Sequence, residues 1–222
     1  MSNRQPGYHP IWSNFSQLFV LNLKFIPFFL PSLLCMTLFF GVGGLVFPLA
    51  ALVLLLPAGP AVAVMYECGY RMAAGSGDVP GFFRLYRLHF RQGLATMAVL
   101  VPFLATLGLV LLAGSALPFW IILCLVLAAV MLMAFAVLAF SQVVLTDAPL
   151  TRIWRESPVL ILMTSWRGVA VAVAQLLFAA LVCRFFPVAL PLYVLTGPAV
   201  LIAWSCRVLW PRLEPLLPEQ GL

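Results

Sequence analysis

Pro118 to Leu145 reads PFWIILCLVLAAVMLMAFAVLAFSQVVL, without one charged side chain. A helix needs about 20 apolar residues to cross the hydrocarbon of a bilayer. This run is long enough, and it is too apolar to face water on any side. The rest of the chain agrees with it. Of 222 residues, 64% are hydrophobic and only 8% are charged; the mean hydropathy is +1.14. A soluble domain is about 45–50% apolar and about 25% charged. A chain of this size cannot enclose so much apolar surface in water. The composition therefore predicts an integral membrane protein of the all-α class, a polytopic bundle forming a single transmembrane domain over 1–222.

The span length divides the other apolar runs. The block from Phe25 to Tyr66 is too long for one crossing and contains Gly41, Gly43 and Gly44, residues suited to a turn. It separates into helices at 16–40 and 45–67. Pro27 and Pro31 should kink or restart the first. The block from Leu94 to Thr146 breaks between Gly114 and Pro118, which gives helices at 94–114 and 118–145. Two more follow at 168–186 and 189–209, with a turn at Phe186-Pro187 and Pro191 opening or kinking the last. Six spans result.

The basic residues test that count. Arg4 and Lys24 flank span one. Arg71, Arg84, Arg87 and Arg91 lie between spans two and three. Arg152, Arg155 and Arg167 lie between four and five, and Arg207 and Arg212 at the end of six. Only Arg184 falls on the opposite side. Six spans with both termini in the cytoplasm thus satisfy the positive-inside rule, and the net charge of +6 is a topology signal. The early residues show no secretory signal pattern. The place expected is a bacterial inner membrane.

Val79 to Gly93, VPGFFRLYRLHFRQG, interleaves arginines with aromatics. On a helix over 80–92, Arg84, Arg87 and Arg91 fall within about 60° of arc. Phe82, Phe83, Leu85, Tyr86, His89 and Phe90 take the other side. This predicts an interfacial amphipathic helix on the cytoplasmic surface, aromatics toward the acyl boundary and arginines toward headgroups or a partner. His89 is expected to pack at the interface. Nucleic acid is the weaker reading, because the stretch is tethered between two spans. The second inner loop, Asp147 to Gly168, is similar in kind. Trp154 and Trp166 suit an interface, Arg152 and Arg155 can pair with Glu156 or headgroups, and Pro158 should limit any helix through its middle.

The two halves echo each other. Asp78-Val79-Pro80 and Asp147-Ala148-Pro149 open the inner loops, and Arg91-Gln92-Gly93 and Arg167-Gly168 close them. Gly59-Pro60-Ala61-Val62 matches Gly197-Pro198-Ala199-Val200, each in a span running inward. Gly59, Pro60, Gly197 and Pro198 are candidate helix breaks lining a cavity. Reused punctuation accounts for these echoes as well as duplication does.

Catalytic patterns are missing. The chain has no GxxxxGK[ST], HExxH or GxSxG, and no Cys-x-x-Cys. Its five cysteines read as small apolar residues. Glu67 stands at the inner end of span two and the other acids lie in loops or the tail. No metal, cofactor or catalytic residue is expected. The deep polar residues Asn22, Thr37, Thr106, Gln142, Gln175 and Thr196 are expected to bond across helices. Gln142, Gln175 and Arg184 remain cavity candidates. Arg184 should snorkel to the outer headgroups, or contact an anion in an outer vestibule.

Three motifs in order carry a family resemblance: Leu21-Asn22-Leu23, then Gly59-Pro60-Ala61 followed by Tyr66, then Phe82 to Gln92, FFRLYRLHFRQ. Over residues 15–100 the chain resembles the YesL family of bacterial membrane proteins, with a longer apolar stretch between the first two motifs. Members often accompany carbohydrate-uptake ABC transporters. The resemblance implies a non-catalytic accessory or assembly subunit that contacts a permease or ATPase through the Phe82–Gln92 segment. A self-contained small-solute transporter or membrane substrate-binding component is the alternative, supported by the proline- and glycine-broken helices. Association of copies into a homo-oligomer is compatible with either, and a lipid-acting enzyme lacks any acid–base or metal constellation.

Overall fold

The computed structural model describes residues 15–42, 46–75, 81–113, 118–146, 148–164, 166–184 and 197–216. All regular structure among them is helical. In chain order the helices are α1 (Phe15–Val42), α2 (Val46–Leu55), α3 (Ala58–Ala73), α4 (Phe82–Leu88), α5 (Phe90–Ala113), α6 (Phe119–Leu145), α7 (Leu150–Thr164), α8 (Trp166–Arg184) and α9 (Gly197–Leu213); a 3₁₀ turn at Glu214–Leu216 follows.

Helix α3 is the centre. Every residue from Ala58 to Tyr70 except Val62 is buried, and α1, α4, α5, α6 and α9 pack on it. Its small residues explain this. Where apolar neighbours make the hydrophobic term weak, helices gain most by close van der Waals approach, which Gly and Ala permit. Gly59 meets Gly93 and Met97 of α5. A Cβ on Gly93 would stand 2.7 Å from the Cα of Pro60. On another side Gly69 meets Cys206 of α9, where a Cβ would lie 2.8 Å from the sulfur.

Helix α6 is long and apolar enough by itself to cross a membrane. Two bent pairs are each, taken together, also long and apolar enough: Leu49–Leu55 with Ala58–Ala73, at 42°, and Leu150–Thr164 with Trp166–Phe178, at 105°. The first half of α6 bares its side chains, Phe119 and Trp120 at 70% and 72% exposure. The same helix is buried from Val137 to Val143. An apolar face without protein cover suits lipid.

Several boundaries differ from the expected ones. The single helix at 45–67 is two, broken at Leu56-Pro57, and its second part runs on to Ala73. Pro57 has no N–H to continue the ladder, and the Gly59 N–H closes on the Leu56 carbonyl instead (3.0 Å). The interfacial helix at 80–92 ends at Leu88. His89 breaks it with φ −90° and ψ 7°, and Phe90 and Arg91 begin α5 instead of preceding it. Pro158 does not limit a helix: α7 passes through it. Likewise α1 continues through Pro27 and Pro31 as one helix, with no restart at either. The first turn, expected over Gly41–Gly44, does not begin at Gly41, since α1 runs on to Val42; Gly43-Gly44, the turns expected at Gly114–Leu117 and Phe186-Pro187, and the start of the last span before Gly197 lie outside the described residues.

The α3–α5 crossing gives a direct test. Gly93→Val should lower the unfolding free energy in mixed micelles by about 2 kcal/mol, because the obstacle is Pro60 backbone. Gly81→Ala, where a Cβ meets nothing within 4 Å, should change it by less than about 0.5 kcal/mol.

Candidate functional site

The α3–α4–α5 corner gathers most of the chemistry. Gly81 opens α4, its carbonyl accepting from the N–H groups of Arg84 (2.9 Å) and Leu85 (3.2 Å). Helix α4 then divides its side chains between two surroundings. Phe82 and Leu85 are buried. Tyr86 stacks on Phe28 of α1, with ring centroids 4.7 Å apart, and its hydroxyl donates to the Pro57 carbonyl (3.2 Å). Partial burial raises the Tyr86 phenol above its usual pKa, so it remains a donor at neutral pH. Phe83 (63%), Leu88 (71%) and the arginines Arg84, Arg87 and Arg91 stay exposed. The aromatic side is therefore not one lipid-facing surface. Phe82 and Tyr86 clamp α4 onto α1, while Phe83 and Phe90 remain outside. Phe28, Phe83, Tyr86, Arg87 and Phe90 surround an open notch of about 520 Å³.

Behind this helix lies a buried ionic cluster. Glu67 of α3 is 5% exposed and His89 7%. One carboxylate oxygen of Glu67 accepts from Arg71 Nε (2.9 Å) and Nη2 (2.7 Å), one turn further along α3. The other lies 2.5 Å from His89 Nε2. His89 is thus not an interfacial packing residue but the buried partner of an acid. It sits at the α4–α5 break: its N–H donates to the Leu85 carbonyl (2.9 Å), and its own carbonyl accepts from Gly93 (2.8 Å). The ring and the backbone of one residue thereby tie the basic helix to α3. The Glu67-x-x-x-Arg71 spacing was readable as a one-turn pair. That His89 completes it depends on how α4 folds back.

The other candidates have separate places. Gln175 of α8 donates to Tyr66 Oη and Ser205 Oγ, both at 3.1 Å. Gln142 of α6 reaches Ser157 Oγ of α7 at 3.4 Å. Both bond across helices, as does Asn22: its Oδ1 accepts the N–H of Ala199, 2.9 Å away in the first turn of α9. Gly59 and Pro60 pack against Gly93. Gly197 and Pro198 open α9 beside that Asn22 bond, so the two echoes meet different partners. Arg152 pairs with Glu156 at 2.7 Å on the exposed side of α7, and Arg155 is exposed. Gln92 Nε2 lies 3.4 Å from the Ala148 carbonyl, joining the start of α5 to the segment that leads into α7. Arg184 ends α8, and its side chain, like those of Thr37 and Thr106, lies outside the described residues, as does Thr196 altogether. Among the described residues no group of His, Cys, Asp and Glu could hold a metal ion.

Comparison with protein-family models, curated proteins and solved structures finds no match.

The two ion pairs differ in burial, and mutation should separate them. Glu67→Ala leaves the His89 ring and the Arg71 guanidinium without the carboxylate they hold in a buried place. It should cost about 3 kcal/mol in detergent unfolding. Arg152→Ala breaks an exposed pair and should cost less than about 1 kcal/mol.

Proposed function

We propose that this protein is a six-span bundle of the bacterial inner membrane, with both termini cytoplasmic. In this reading it is a non-catalytic accessory or assembly subunit of a solute ABC importer, the solute being carbohydrate. The observation that carries the proposal is the division of α4. Phe82, Leu85 and Tyr86 hold the helix to the body of the protein, and Phe83, Arg84, Arg87 and Leu88 are presented outward, with Arg91 exposed beside them at the start of α5. Arginine and aromatic side chains on a rigid support make a competent docking edge, because little conformational entropy is lost when they are covered. The buried Glu67–His89 contact supplies the rigidity. The arginine count on the inner loops supports the topology, and the resemblance to the YesL family supports the class of partner.

Arg84, Arg87 and Arg91 changed together to Ala should reduce recovery of the permease or ATPase in mild-detergent affinity purification at least about tenfold. Loss of three exposed side chains should leave the melting temperature of the isolated protein nearly unchanged. Full recovery with the triple variant, or recovery of the protein alone from native membranes, would refute the docking role.

The same buried cluster favours a second reading, a self-contained small-solute transporter. Ionisable groups enclosed at a membrane boundary commonly mark solute or proton paths. In that case purified protein in liposomes should move a solute without any partner, and Glu67→Gln should slow the movement at least about tenfold.

A further inference from the structure

Between α3, α5, α6, α8 and α9 lies a partly open cavity of about 230 Å³. Its walls are apolar side chains, among them Met97, Met133, Ala136 and Ile202. Tyr66 and Gln175 are the polar side chains in the lining. Their hydrogen bonds leave something over. The Ser205 hydroxyl donates to the Leu201 carbonyl (2.7 Å). It must therefore accept from Gln175, which sets the amide nitrogen on that side. The same nitrogen donates to the Tyr66 oxygen. Two groups then have no partner among the described residues: the amide oxygen of Gln175 and the O–H proton of Tyr66. Both belong to side chains that line the cavity, in a setting where an unmet polar group is costly.

We propose that this cavity binds a small amphipathic molecule, an apolar chain ending in a hydroxyl. A hydroxyl donates once and accepts, so one group answers both the Gln175 oxygen and the Tyr66 proton. The apolar walls exclude sugars, amino acids and ions, whose further polar groups would find no partner. The size follows from comparison. An apolar cavity of about 150 Å³ accommodates benzene, so about 230 Å³ accommodates about nine non-hydrogen atoms, the size of octanol, and the open side lets a longer chain extend toward lipid. The site is independent of the docking edge on α4, and neither reading depends on the other.

The test uses the full chain in phospholipid nanodiscs and a diazirine-bearing octanol as the photoprobe. Saturable labelling is expected on Met97, Met133 or Ile202. Unlabelled octanol should compete at a concentration at least about fivefold lower than octane, the difference one hydrogen bond makes. Gln175→Leu should shrink that difference and Gln175→Leu with Tyr66→Phe should remove it, and Ala136→Phe should abolish saturable labelling by filling the space. If Ala136→Phe does not fold, Val62→Phe fills the same cavity from α3. Non-saturable labelling spread over Phe119–Leu127, equal competition by octanol and octane, or saturable labelling that survives a folded cavity-filling variant would overturn the proposal.

Discussion

The close approach of α3 to its neighbours is the constraint on which the rest of this structure depends. At Gly59 and Gly93 two helix backbones touch, and at Gly69 the backbone of α3 meets the Cys206 side chain. At Gly59 and Gly93 no larger residue could stand without moving a helix, because the obstacle is backbone; at Gly69 the Cys206 side chain would have to shift. With α3 enclosed in this way, side chains projecting from it must find their partners within the protein.

The polar residues of α3 show the consequence. Tyr66, Glu67 and Tyr70 lie within five positions of each other and are all buried. Each is answered from a different direction. Gln175 of α8 bonds Tyr66, and the Tyr70 hydroxyl donates to Ser141 of α6 at 2.7 Å. His89, at the α4–α5 break, bonds Glu67. Polar contacts of this kind between packed helices specify which faces meet, because a wrong rotation leaves a buried group unpaired. Tyr66 also stacks on Phe140 (centroids 6.1 Å apart) and Tyr70 leans on Trp210 (5.9 Å), so the same residues contribute apolar contact to α6 and α9.

The placement of α4 follows from this arrangement. A seven-residue helix has little stability of its own. It is held by Phe28 against Phe82 and Tyr86, by the Tyr86 bond to Pro57, and by His89 on Glu67. These attachments come from α1, the α2–α3 break and α3. The exposed arginines are consequently fixed to the most buried part of the molecule, and whatever meets them meets a rigid body. The cavity beside Tyr66 and Gln175 shares that origin, since α3 forms one of its walls.

By itself the sequence determined the helical class, the apolar run from Phe119 to Leu145, the grouping of basic residues, and the expectation that deep polar residues such as Asn22 bond across helices; for Gln142 and Gln175 it left a cavity role open beside that one. These depend on composition and on one residue's chemistry, which need no knowledge of neighbours. The tertiary structure decided what pairing decides. A helical wheel over 80–92 placed His89 with the aromatics because it assumed a continuous helix; the break at His89 turns that ring onto Glu67. Pro158 read as a stop and Pro57 passed unnoticed, since a proline's effect depends on whether packing around the freed carbonyl holds the helix together. The division of α4 into a clamped side and a free side was equally invisible, because an aromatic looks the same in sequence whether it faces lipid, solvent or Phe28.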